Sequence, residues 1–138
     1  MSIHPFKGRP FGGRSFIINK RIKVIKYEFI NRYLATLSFN DNFNIISLIS
    51  CYFPYDNGTH LNFSEFQSCL QVAYELLQYY ENLNHSVFII GDINADLLRS
   101  KRFDVIFGNF IKNNNTVVVF KKFFCHFTTF YAIFRHLS

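Results

Sequence analysis

Residues 43–53 read FNIISLISCYF, which is an almost unbroken apolar run in the middle of the chain. A strand with one face in water alternates apolar and polar side chains, and this run does not keep that alternation. It therefore predicts a central β-strand that is buried on both of its faces. A chain built around such a strand has to cover a sheet with other elements.

The segments around this run carry strand and helix patterns in turn. Short β-prone stretches are bounded by turn residues, and apolar side chains at helical spacing follow a capping pattern formed by Ser64 and Gln67. The expected elements are strands at residues 15–19, 22–26, 33–39, 43–53, 87–90 and 116–120, and helices at residues 64–82 and 103–111. Their order predicts a mixed α/β fold in which helices cover sheets.

The composition is that of one modest globular domain. The chain has 138 residues, of which 49% are hydrophobic and 17% are charged, and it contains only three prolines and six glycines. These values exclude a disordered, collagen-like or linker-type chain.

Three cysteines without a C-x-x-C pair suggest neither a disulfide framework nor a zinc site. The N-terminus has no apolar signal segment. The most apolar tract, at residues 117–134, is interrupted by polar residues well short of the roughly 20 residues that a membrane span needs. We therefore expect an intracellular protein, nuclear or cytoplasmic, that is not secreted and has no membrane partner.

The net charge of +6 is unevenly distributed. The first 26 residues hold seven basic residues and no acid, residues 27–104 hold all nine acids, and the remainder is basic. Basic flanks could hold a phosphate backbone while the acidic middle places carboxylates around a cation. Solvated loops and helix faces would give the same distribution, so charge favours a polyanionic partner without identifying one.

Asp92 and Asn94 lie just beyond the short apolar strand predicted at residues 87–90. In an extended backbone, side chains two residues apart point to the same side and can meet one substrate group. The carboxylate can take a proton from water, and the amide can donate to a phosphate oxygen or hold the carboxylate in place. A Gly-Asp-x-Asn segment is also an ordinary turn, so the spacing alone leaves both interpretations open.

Four segments together carry a more specific pattern than any one of them. VFIIGDINAD occupies residues 87–96, GRPFGGRSFIINK residues 8–20 and NIISLISCYFPYD residues 44–56, and the helix expected at residues 64–82 leads into GDINAD. GDINAD resembles the G-D-F-N-A motif of the endonuclease/exonuclease/phosphatase superfamily, whose fold abasic-site endonucleases and DNase I share. The other two segments resemble the R-P-x-G-G turn and the strand ending in Tyr-x-Pro of LINE-type (non-LTR) retrotransposon endonuclease domains.

The resemblance implies a fold of the α/β (α+β) class, namely the four-layered α/β sandwich of the DNase I-like type, incomplete at both ends. It divides the chain into an N-terminal extension at residues 1–7, a partial endonuclease/exonuclease/phosphatase domain at residues 8–120 and a divergent Phe-rich tail at residues 121–138.

The resemblance also implies an activity, the hydrolysis of phosphodiester bonds in DNA. Asp92 would activate or orient the attacking water, Asn94 would position that water and the scissile phosphate, and Tyr52 would contact the phosphate. Magnesium would offset charge on the phosphoryl oxygens and the leaving group. The partners would be DNA and, in an intact element, the reverse transcriptase region of the same polyprotein.

Two parts of the family pattern have no match in the sequence, so no metal-ligating residue is assigned. The family's Gln-Glu pair, whose Glu binds the metal, would precede the glycine-rich turn, and its terminal Asp-His pair is not found after Asp104, the last acid of the chain. We therefore expect impaired hydrolysis in this chain. The alternative is a catalytically inactive relic or a DNA-binding fragment, and a third possibility is a sugar-phosphate or lipid phosphodiester substrate.

Overall fold

The computed structural model describes residues 15–125 and 128–135. They form one six-stranded mixed sheet and two helices, which confirms the predicted mixed α/β class. The elements are β1 (Lys23–Phe29), β2 (Leu34–Asp41), β3 (Asn44–Tyr52), α1 (His60–Asn82), β4 (Ser86–Asp92), α2 (Arg102–Asn113), β5 (Thr116–Cys125) and β6 (Thr128–Arg135). Neither helix in these ranges combines the length and the hydropathy needed to cross a bilayer.

The strand order is β1-β2-β3-β4-β6-β5, with β3 and β4 parallel and the other neighbours antiparallel. Parallel neighbours need a long crossover, and α1, with 23 residues, provides it. Because β3 and β4 run in the same direction, their last residues, Tyr52 and Asp92, are direct partners at one edge of the sheet. We call this the carboxyl edge.

Both helices pack on one face of the sheet in the described residues, and the core lies between them and the strands. Phe66 of α1 stacks on Phe103 of α2, with ring centroids 4.1 Å apart. On β3, Ile49 and Cys51 point into this core and are buried, whereas the alternate residues are half-buried or, at Tyr52, exposed. The strand is central in the sheet as predicted, but the expected burial of both faces is wrong for the described part of the chain, because both helices cover the same face.

The two ends of the described chain differ from the sequence-based expectation. Residues 15–19 form no strand, and β1 begins only at Lys23. The division expected at residue 120 falls inside β5, and β6 lies between β4 and β5 in the sheet. The Phe-rich tail therefore supplies sheet strands. Residues 1–14, with the GRPFGG segment, lie outside the described residues, and the second sheet of a four-layered sandwich stays a prediction.

Candidate active site at the carboxyl edge

The end of β4 depends on a glycine. Gly91 has φ +134°, a conformation that residues with a side chain rarely adopt. A Cβ at this position would also collide with the backbone carbonyl of Cys51 on β3. The absence of a side chain thus lets β4 pair closely with β3 up to its end and brings Asp92 beside Tyr52.

Asp92 and Asn94 are joined through a tight turn. The backbone N–H of Asn94 donates to Oδ1 of Asp92 at 2.9 Å, and the Asn94 side-chain amide donates to the carbonyl oxygen of Phe53 at 2.6 Å. Asn94 has φ +53°, a left-handed conformation that Asn tolerates better than most residues. The extended geometry expected from the spacing is therefore not found. The turn itself brings the two residues together, and the Asn94 nitrogen is bonded to the loop after β3.

The Asp92 carboxylate is half-buried at the end of its strand. Burial raises the pKa of this carboxyl above its ordinary value, and the hydrogen bond from the Asn94 amide opposes that rise. A carboxylate with a raised pKa is a stronger base than an ordinary surface Asp. A perturbed titratable group at an accessible strand end is a typical property of a reactive site.

Tyr52 lies directly next to Asp92 across the parallel pair of strands. Paired residues project on the same side of a sheet, so the two side chains share a face. The Tyr52 side chain is 57% exposed, and its backbone N–H is bonded to the carbonyl of Tyr33. The structure thus brings together all three residues that the sequence singled out, Tyr52, Asp92 and Asn94.

An ion pair that sequence reasoning missed joins the loop after β3 to the start of α2. Arg102, at the start of α2, donates from Nε and Nη2 to the carboxylate of Asp56 at 2.6–3.0 Å, and Nη2 also reaches the carbonyl of Thr59 at 2.8 Å. The hydrogen bonds from Arg102 lower the pKa of the Asp56 carboxyl. Asp56 follows β3 by four residues, so this pair fixes the loop after β3 to α2.

Asp104 is a second carboxylate that the sequence analysis left unassigned. It is buried, and it accepts hydrogen bonds from the backbone N–H groups of Asp96 and Lys101 and from two nitrogens of Arg99, at 2.7–2.9 Å. Burial alone would raise its pKa, but these donors lower it. Acids are enriched in the first turn of helices, and this is the signal that could have pointed to Asp104 from the sequence. Its role is to close the loop between β4 and α2.

The residues at the carboxyl edge do not form a complete magnesium site. Magnesium prefers six oxygen ligands and is usually held by one or two carboxylates together with waters and substrate phosphates. Asp92 offers one carboxylate, and Asp56 in the loop after β3 is already paired with Arg102. No group of three His, Cys, Asp or Glu side chains that could hold a metal occurs in the described residues.

The basic residues at the start of β1 do not flank this site. Lys23 pairs with Asn40 on β2, and Asn40 pairs with Ile45 near the start of β3. Lys20 and Arg21 immediately precede β1. These cations therefore lie at the edge of the sheet opposite to Asp92.

No protein-family model matches the chain, and no curated protein matches it. Among solved structures, the fold is similar to that of a beta hairpin deletion mutant of beta toxin from Staphylococcus aureus, with a TM-score of 0.48 and 12% sequence identity. The similarity covers 72% of this chain and 43% of the toxin chain, so the chain spans less than half the length of that protein. Function is therefore inferred from the geometry of the carboxyl edge.

Proposed function

We propose that the carboxyl edge hydrolyses phosphodiester bonds and that its substrate is DNA, which it nicks in the manner of the LINE-type endonucleases that the sequence resembles. The observation that carries the proposal is the environment of the Asp92 carboxylate. This carboxylate is half-buried, accepts a hydrogen bond from the backbone N–H of Asn94 and lies next to the exposed Tyr52. It provides a base, a means of fixing that base, and a neighbouring hydroxyl at an accessible end of the sheet.

In this mechanism Asp92 acts as the general base. It takes a proton from water while the water oxygen forms a bond to phosphorus and the ester P–O bond breaks, and the leaving oxygen takes a proton from solvent. The raised pKa of Asp92 favours this transfer. The Tyr52 hydroxyl would donate to a phosphoryl oxygen, as the resemblance implies. The resemblance implies magnesium as a stabiliser of phosphoryl charge, but the described residues supply only part of a magnesium site, so the mechanism rests on Asp92 and Tyr52.

A second candidate function is binding of nucleic acid without catalysis. It is favoured by the incomplete set of metal ligands, since the described residues hold no group of three His, Cys, Asp or Glu side chains that could bind a metal. Each missing electrostatic contact of this kind typically costs about 3–4 kcal/mol of transition-state stabilisation. A site without such contacts would turn a bound substrate over very slowly.

Nicking of supercoiled plasmid in magnesium buffer tests the proposal. The wild-type protein is compared with Asp92→Ala and with Asp41→Ala, a matched control at the opposite edge of the sheet, where β2 ends. We expect nicking by the wild type and by Asp41→Ala, and at least about a 100-fold loss in Asp92→Ala.

Two other outcomes would redirect the proposal. A folded wild-type protein that binds the plasmid without nicking it would support the second candidate. Cleavage of a lipid or sugar phosphodiester, tested in parallel, without cleavage of the plasmid would keep the reaction and replace the substrate.

A further inference from the structure

Tyr131 links the tail of the chain to the candidate active site. It lies on β6 and is completely buried, and its ring meets Phe107 of α2 edge-on, with centroids 5.1 Å apart. Its hydroxyl donates to the backbone carbonyl of Ala95 at 3.0 Å. Ala95 directly follows Asn94, so a residue of the tail contacts the backbone of the GDINAD turn.

Three consecutive residues of this turn are each held by a different part of the fold. Asn94 is bonded through its side chain to Phe53 after β3, Ala95 is bonded to Tyr131 of β6, and the Asp96 N–H is bonded to Asp104 of α2. Asn94 adopts a left-handed conformation, which Asn tolerates better than most residues. The three bonds hold Asn94 and the two residues after it to three different parts of the fold.

We propose that Tyr131 is a positioning residue for the site at the carboxyl edge. Its hydroxyl fixes the Ala95 carbonyl and thereby the preceding residue, the left-handed Asn94. The backbone N–H of Asn94 is in turn bonded to the Asp92 carboxylate. The hydroxyl of Tyr131 does not act on substrate. It keeps Asp92 and Asn94 in their relative positions, and this role rests on the proposed hydrolytic function.

The chain offers a matched control in Tyr80. This tyrosine of α1 is also buried, and its hydroxyl donates to Thr36 on β2 at 2.9 Å, a bond of nearly the same length. Replacing either tyrosine with phenylalanine keeps the ring and removes one buried hydroxyl. Only Tyr131→Phe removes a bond to the GDINAD turn.

The test compares Tyr131→Phe and Tyr80→Phe by plasmid-nicking kinetics and by hydrogen exchange of the Asn94 amide. A displacement of about 1 Å at a site can cost about 100-fold in rate, so we expect Tyr131→Phe to lower kcat roughly tenfold or more with little change in KM. The Asn94 amide should exchange faster in the same variant. Tyr80→Phe should change neither readout, even where it lowers the melting temperature equally.

Equal effects of the two substitutions, or an unchanged Asn94 amide in Tyr131→Phe, would overturn the proposal. The exchange readout requires no catalysis, so it tests positioning even if the wild-type protein nicks nothing and the proposed function fails. Should Tyr131→Phe not fold, the wild-type protein still provides a test. An Asn94 amide that exchanges as fast as in an unfolded chain would contradict a fixed turn.

Discussion

The carboxylate of Asp92 lies where a strand end meets solvent, and it is nevertheless half-buried. Burial raises its pKa, which makes it a better base and also disfavours its charged form in the folded state. A raised folded-state pKa means that the protonated form stabilises the fold, and this stabilisation is lost as pH rises through that pKa. Reactivity and stability are therefore opposed at this residue.

Asp92→Asn should separate these two effects. The amide oxygen of the new side chain can still accept the Asn94 N–H, and the buried charge is removed. We expect a melting temperature at pH 7 equal to or above that of the wild type, with the difference shrinking as pH falls towards about 4. Thermal melts at both pH values measure it, and a clearly lower melting temperature at pH 7 would contradict the account.

His85 predicts a second pH dependence, at the other end of the sheet. Its Nδ1 lies 2.7 Å from Oγ of Ser47, which is bonded to Ser38, and its ring stacks on Tyr80. Burial lowers the pKa of His85, so the folded state favours the neutral ring. The resulting stability is present above the unfolded-state pKa of about 6.5 and is lost as pH falls below it through the lowered folded-state pKa.

Urea unfolding at pH 7.5 and 5.5 tests this prediction. We expect the wild type to lose stability between these values and His85→Gln to lose less. An identical loss in the variant would mean that another group causes the pH dependence.

At the scale of elements, the GDINAD turn requires the close pairing of β3 and β4. Gly91→Ala would force a Cβ into the carbonyl of Cys51 at a positive φ, and the strands would have to separate. We expect a loss of about 2 kcal/mol or more in the free energy of unfolding.

Gly108→Ala is the matched control for this change. Gly108 lies within α2, and the nearest atom to an added Cβ is 3.9 Å away, on Leu97. Because Ala is a better helix former than Gly, this substitution should stabilise the protein by about 0.5–1 kcal/mol. Denaturant titrations measure both variants, and similar effects of the two would show that the β3–β4 contact is not tight.

The elements near the site were the easiest to predict. The apolar run of β3 and the helical spacing of α1 gave the correct element types, because local patterns decide strands and helices of this length. The family resemblance assigned Tyr52 and Asp92 to one site, but their direct pairing could not be predicted, since no local pattern gives a register between distant strands. The support from Tyr131 could not be predicted, because it depends on where β6 enters the sheet.

Across the whole molecule, the tail forms part of the structure that holds the site. The Phe-rich composition of residues 121–138 gave no clear periodicity, yet β6 pairs with β4 and places Tyr131 and Ile133 in the core. The described basic residues that precede β1 lie at the opposite edge from Asp92. DNA contacts near the site would thus have to come from other parts of the chain.

The most direct test of the account is the rate of plasmid nicking by the wild type and by Asp92→Asn under the same magnesium conditions, after thermal melts have shown that both are folded. We predict nicking by the wild type and a loss of at least about 100-fold in the variant, because the variant has no base at this position. Equal nicking by the two folded proteins would contradict the assignment of Asp92 as the base.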